Sequence, residues 1–242
     1  MRALLSFFTV LPVRGFSLQA AAERAYLLPL VGLFTGAPGA ALILLGYAIP
    51  PGVVVTLALA AVLLAAGLHH TDGVLDTGDA LMVRGTQERR RAVLKDARVG
   101  IGGIGALFVV YAPTLAALSA LADDSPARAA LALLAGEVSA RSSMLLALAF
   151  GKPAEAGSSS VSFVRSLRGW RRASGVSLAL LVPLLCLLPL GALAPLAVLS
   201  VPLTALISLR TARAAFGGIG GDVVGATGEA TRTALLVALS AT

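Results

Sequence analysis

Tyr26 to Ala48 reads YLLPLVGLFTGAPGAALILLGYA, 23 residues without one charged side chain. As a helix it would be about 34 Å long, enough to cross a hydrocarbon core of roughly 30 Å. Comparable runs follow at 53–69, 99–122, 127–150, 175–191 and 193–209. With 57% hydrophobic and only 13% charged residues over 242 positions, the chain lies far from soluble-domain composition. The expectation is an all-α, polytopic membrane bundle forming one domain over 1–242, with six spans. A further stretch, 223–240, is interrupted by Glu229 and Arg232 and reads either as a seventh span or as an amphipathic surface helix. The opening MRALLSFFTVLPVRG is broken by Pro12 and Arg14, which suits an interfacial or re-entrant segment better than a cleaved leader. Cys186 is the sole cysteine, so no intrachain disulfide can form.

The formal charge of +7 could suggest nucleic acid, but its distribution argues otherwise. If the runs alternate in direction, 16 of the 19 basic residues fall on one side: the N-terminal segment, the connections 70–98 and 151–174, and Arg210 with Arg213. The opposite connections, at 49–52, 122–126 and 189–195, are short and neutral or acidic. By the positive-inside rule the basic side is cytoplasmic in a cell-membrane protein. Nucleic acid is therefore not an expected partner, whereas anionic lipid is, above all for Arg89 to Arg91.

Chemistry concentrates in the first long basic connection. His69 to Asp79 reads HHTDGVLDTGD, and Lys95 to Gly100 reads KDARVG. Asp72, Asp76 and Asp79 are spaced i, i+4 and i+7, so on a helix they share about 60° of arc. Like charges one turn apart oppose a helix unless a cation sits among them, and Mg²⁺ is commonly held by carboxylates together with substrate phosphates. Helix capping accounts for one or two of these acids, but not for Asp79 two turns in, nor for Asp96 across the loop. The expected metal set is Asp72, Asp76, Asp79 and Asp96. Lys95 and Arg98 are the expected phosphate-binding cations, Arg98 being the first choice because Asp96 stands two residues before it. His70 is favoured over His69 for a catalytic part, as base or orienting group. Glu137 and Arg141, one turn apart inside a span, either pair with each other or present Arg141 to substrate. Glycines at 32, 36 and 39, and again at 100, 103 and 105, suit close helix packing. The Gly100 run lacks the lysine of a P-loop, and no Cys/His set for zinc occurs.

The run from His70 to Asp79, followed by KDARVGIGG at Lys95–Gly103, resembles the signature of the adenosylcobinamide-GDP ribazoletransferases, the cobalamin (5′-phosphate) synthases. Leu11–Val13, Pro29–Gly36 and GGIGGDVVGATGE at Gly217–Glu229 are similar too, so the resemblance spans nearly the whole chain. Ala80 and Arg232 depart from the family pattern, where a glycine and an acidic residue are usual. The resemblance implies a Mg²⁺-dependent transferase that joins adenosylcobinamide-GDP to α-ribazole or its 5′-phosphate and releases GMP. It adds Gly73, Asp222 and Glu229 as substrate-binding residues. It leaves open homo-oligomerisation and contact with other cobalamin-assembly enzymes. Two other readings compete. A CDP-alcohol phosphotransferase is weakened because Asp76 and Thr77 stand where that family's D-G-x-x-A-R opening needs Ala-Arg. A transporter or corrinoid-docking protein is weakened because transport sites lie near the midplane, whereas these carboxylates are expected at a cytoplasmic edge.

Overall fold

The computed structural model describes residues 1–13, 17–46 and 49–242. Arg14, and Tyr47 and Ala48 at the end of the first apolar run, lie outside the described residues. The architecture is helical, and among the described residues the only β pairing is an isolated parallel bridge between Pro153 and Ile219. A short α1 (Arg2–Phe8) and α2 (Leu18–Ala22) precede α3 (Leu28–Leu45), which a 3₁₀ turn at Ala25–Leu27 extends at its start. Then come α4 (Pro51–Ala65), α5 (His69–Met82), α6 (Gln87–Val93), α7 (Ile101–Asp124) and α8 (Pro126–Phe150). The chain closes with α9 (Ser160–Ser166), α10 (Trp170–Leu187), α11 (Ser200–Phe216) and α12 (Gly221–Ser240). Among the described residues five stretches are long and apolar enough to cross a membrane, Ala25–Leu45, α7, α8, Trp170–Leu190 and Ala194–Phe216, and the bent pair α4 and α5 makes six if it is one broken span.

The expected span at 53–69 takes a different form. α4 stops at Ala65, and α5 departs from it at 92°. Gly67 and Leu68 both take positive φ (73° and 61°), a region that costs an L side chain and so marks a built corner. The aspartates thereby lie on a helix that turns back along α7, not on the continuation of α4.

Small residues allow that return. A Cβ on Gly78 would lie 2.5 Å from Ala106 Cβ, and one on Gly73 would lie 2.6 Å from Asp222 O, so α5 is clamped between α7 and the start of α12. The α3 glycines act likewise: Gly32 packs on the Val138 backbone and Gly39 on Ala58 and Val62. Of the later group, Gly103 packs on Leu75, whereas Gly105 faces open space.

The stretch left open by sequence, 223–240, is a traverse through the bundle. α12 begins beside the end of α8, where Ile219 N donates to Lys152 O (2.8 Å). It finishes beside the start of α8, where Arg128 Nη2 donates to Leu239 O (3.5 Å) and Thr242 Oγ1 (3.1 Å). Its 20 residues span about 30 Å, antiparallel to α8. Glu229 and Arg232, which interrupt its apolarity, are buried in the interior.

This path predicts that, in a Cys186→Ala background, cysteines at Ser125 and Thr242 label from one side of the membrane and a cysteine at Ser158 from the other. Labelling of Thr242 from the Ser158 side would refute a full traverse by α12.

Candidate active site at one end of the bundle

Two features define the site: a polar layer inside the bundle and a pair of cavities at its end. Glu137 of α8 lies between two arginines, with Oε2 3.3 Å from Arg141 Nη2 and Oε1 2.8 Å from Arg232 Nη1. Arg232 also pairs with Glu229. Thr35 of α3 donates to Glu137 (2.6 Å), and Tyr111 of α7 donates to Glu229 (3.0 Å). With its proton used there, the Tyr111 oxygen accepts from Thr71 of α5 at 2.9 Å. Two arginines and two glutamates, all buried, thus form a charge-balanced network linking five helices. Arg141 reaches α5 through a 3.0 Å contact from Nη1 to His70 Nδ1.

Of the expected substrate-binding residues, Arg141 and Glu229 lie in this layer. For Arg141 the alternative of pairing with Glu137 is the one seen, and both residues are buried inside this network and border neither main cavity. Arg232, a departure from the family pattern and a break in the apolar stretch 223–240, balances the charge of Glu137 and Glu229. Gly73 likewise serves packing, since any side chain there would meet the Asp222 backbone.

The acidic residues divide. Asp76 has Asp72, Asp222 and Asp79 as its acidic neighbours; Asp96 is not among them. Asp79 accepts from Gly100 N (2.7 Å) and Gly103 N (2.8 Å), so both its oxygens satisfy otherwise orphaned donors at the start of α7. Capping therefore does explain Asp79, through a helix other than its own. Asp96 is held at the surface by Arg98, with Nη2 to Oδ2 2.7 Å and Nε 3.0 Å from Oδ1. That guanidinium, with the Arg98 backbone N–H, keeps the Asp96 carboxyl below the usual carboxylate range. The Arg98 side chain, the expected phosphate-binding cation, is 89% exposed and borders neither cavity.

What remains is Asp72 and Asp76 on α5 facing Asp222 at the start of α12. None of the three has a salt bridge or side-chain hydrogen bond among the described residues. No three His, Cys, Asp or Glu side chains among the described residues are grouped tightly enough to enclose a metal ion alone. The donors are hard oxygens of the kind Mg²⁺ takes, and one or two carboxylates suffice when a substrate phosphate completes the shell. Asp72 and Asp76 fit that requirement; the four-carboxylate set does not form.

Asp222 borders both cavities. The first, about 420 Å³, holds the basic residues Arg91 and Lys95 opposite the carboxylates of Glu155 and Asp222, with Leu94, Ser158, Phe216 and the Gly218–Gly221 turn in the rest of its lining. Lys95 Nζ lies 2.6 Å and Arg91 Nε 3.8 Å from Glu155, while Arg91 Nη1 donates to Phe216 O (2.8 Å). The second, about 290 Å³, is mainly aromatic, lined by Phe7, Phe8, Phe163, His69 and His70. Arg91 was grouped with Arg89 and Arg90 as an anionic-lipid contact; its one sequence signal is its place four residues before Lys95, near the end of a short basic helix.

The central polar layer predicts a stability effect separable from chemistry. Arg232→Met strands Glu137 and Glu229 without their shared partner and should cost about 3–5 kcal/mol. Thermal unfolding in detergent measures it, and restoring neutrality with Glu229→Gln in the same chain should recover part of the loss.

The family model described as cobalamin-5-phosphate synthase matches residues 1–240. An adenosylcobinamide-GDP ribazoletransferase of Pyrobaculum islandicum is 34% identical over 238 residues, covering 98% of this chain and 92% of its own. The protein of the same name from Pyrococcus abyssi is 35% identical over 240 residues, covering 99% and 97%. One from Saccharolobus solfataricus is 41% identical over 118 residues, 48% of this chain and 47% of its own. No solved structure matches the chain.

Proposed function

The chain belongs to the cobalamin-5-phosphate synthase family, and from that footing we propose that it is a membrane ribazoletransferase. It joins adenosylcobinamide-GDP to ribazole or ribazole 5′-phosphate, giving cobalamin or its 5′-phosphate and GMP. The observation that carries this reading is Asp222, which borders a basic cavity and an aromatic one and faces Asp72 and Asp76 across the Gly73 contact.

The basic cavity suits the diphosphate. Arg91 and Lys95 supply cationic donors, and the first turn of α12 presents backbone N–H groups to the same space. Glu155 now occupies both cations, and an incoming diphosphate competes with it. Asp72 and Asp76 would hold Mg²⁺, which neutralises diphosphate charge and favours displacement at phosphorus. A ribose hydroxyl of the acceptor forms a bond to the phosphorus bearing the cobinamide arm. The bond from that phosphorus to the bridging oxygen breaks, and the oxygen leaves with GMP. Asp222, lying between the two cavities, takes the hydroxyl proton. Positioning and charge stabilisation carry most of the acceleration in such transfers. The basic residues gathered at this end, Arg91, Lys95, Lys152 and Arg213 among them, favour a cytoplasmic face in the cell membrane.

The reaction is tested with purified protein, both substrates and mass spectrometry of the products. GMP must form only when both substrates and Mg²⁺ are present, and excess chelator must stop it. Asp76→Asn should abolish turnover, while Asp79→Asn, which keeps one capping oxygen, should retain most of it. Equal loss in both would restore Asp79 to the metal set.

The cations give a second expected outcome. Arg91→Ala should raise the KM for adenosylcobinamide-GDP roughly tenfold or more, as loss of a charge-assisted contact does. Arg98→Ala should leave that KM within about twofold, since exposed pairs contribute little. Steady-state kinetics with saturating ribazole decides between them.

A further inference from the structure

The aromatic cavity has features that diphosphate chemistry does not use. Phe7, Phe8 and Phe163 form a mutually packed cluster, with ring centroids 4.9 Å apart for Phe7 and Phe8, 5.3 Å for Phe7 and Phe163, and 5.7 Å for Phe8 and Phe163. Beside them His70 is 7% exposed, its ring centroid 6.4 Å from that of Phe8. A guanidinium has donors only, so in the 3.0 Å contact with Arg141 Nη1 the His70 Nδ1 atom accepts. The ring proton is therefore on Nε2. That atom has no hydrogen-bond partner among the described residues, yet it is not sealed off from the space the ring borders. The cavity is thus mainly apolar, and its polar lining consists of the fixed His70 N–H, His69, Ser159, Ser160 and Asp222.

A donor without an acceptor calls for a ligand with an exposed lone pair and flat apolar faces. We infer that this cavity binds the aromatic base of the acceptor nucleoside, with His70 Nε2–H donating to its free ring nitrogen. The inference rests on the reaction proposed above and assigns its second substrate a place. An N-ribosylated benzimidazole has one unsubstituted ring nitrogen, which accepts, and no donor of its own. Its faces pack against the phenylalanines, and its ribose points toward Asp222, where the diphosphate cavity begins. His70 is then a binding residue and not the general base, because the nitrogen that could take a proton is already occupied by Arg141.

The test titrates the full-length protein in lipid nanodiscs with α-ribazole alone, following fluorescence of the base, and separately with adenosylcobinamide-GDP. Phe7→Ala removes a partly exposed wall residue. His70→Asn leaves an oxygen to accept from Arg141, and its shorter side chain draws the amide N–H donors back from the position of Nε2. Each should weaken ribazole binding about tenfold, the scale of one hydrogen bond or one aromatic contact, without changing the affinity for adenosylcobinamide-GDP. Arg91→Ala should give the converse pattern. Wild-type ribazole affinity in both cavity variants overturns the assignment, as does a loss falling equally on both substrates. If ribazole binds and the variants lose it as expected, but the wild type forms no GMP with both substrates, the binding site stands and the proposed reaction fails.

Discussion

Two guanidinium groups and two carboxylates fully buried in an apolar bundle constrain everything around them. Each charge alone would cost several kcal/mol or more to remove from water, so all four are paired, although Nε of Arg141 and of Arg232 has no hydrogen-bond partner among the described residues. Glu137 meets this by joining Arg141 and Arg232, and Glu229 by joining Arg232 and Tyr111. The layer divides the apolar core in two: Leu133 and Leu235 belong to the cluster on one side, Leu145 and Val223 to that on the other. Apolar packing alone tolerates sliding of one helix on another by a turn. A network whose partners lie on α3, α5, α7, α8 and α12 does not, because a one-turn slip would leave a buried charge unmatched.

That register reaches the site through two short paths. Arg141 holds His70 by its Nδ1 atom, which fixes the ring in the wall of the aromatic cavity. Thr71 hangs on Tyr111, and Tyr111 on Glu229, which fixes the first turn of α5 against α7 and α12. Two residues further on, Gly73 lets the α12 backbone approach until Asp222 stands opposite Asp72 and Asp76. The interior network therefore positions the carboxylates while its charged groups border neither cavity. Arg141 and Glu229 matter to the site in this indirect way.

The helical membrane fold was legible because uninterrupted apolar length is a strong signal, and five runs reappear with boundaries close to those read from sequence. α12 was ambiguous for a physical reason: a helix surrounded by other helices can carry Glu229 and Arg232 if partners on its neighbours neutralise them, and one-dimensional hydropathy does not see those partners. The corner at Gly67 and Leu68 was also hidden, since a positive-φ leucine has no sequence signature. At the site, the i, i+4, i+7 spacing correctly put three aspartates on one helix face. Nothing in that spacing indicates that the third reaches the N-terminus of α7. Proximity in sequence does not reveal that Asp96 holds the Arg98 guanidinium at the surface, or that Arg91 meets Phe216 and Glu155, which are distant in the chain.

The two cavities meet at Asp222, and their contrast bears on how a transfer between unlike substrates is organised. A diphosphate needs cationic and N–H donors and tolerates water; an aromatic base needs flat apolar walls and little else. A single mixed pocket would leave the base against charges and the phosphate against phenyl rings, both unfavourable by desolvation. Separate cavities with a shared carboxylate remove that conflict and confine the contact between substrates to the bond that changes. Attack in line with the leaving oxygen then requires only that the ribose hydroxyl enter from the aromatic side while the departing nucleotide is held on the basic side. With Asp222 on the first turn of a helix whose register is set by the interior ion network, the meeting point of the proposed reaction would be fixed before either substrate arrives, which is the preorganisation that phosphoryl-type transfer rewards.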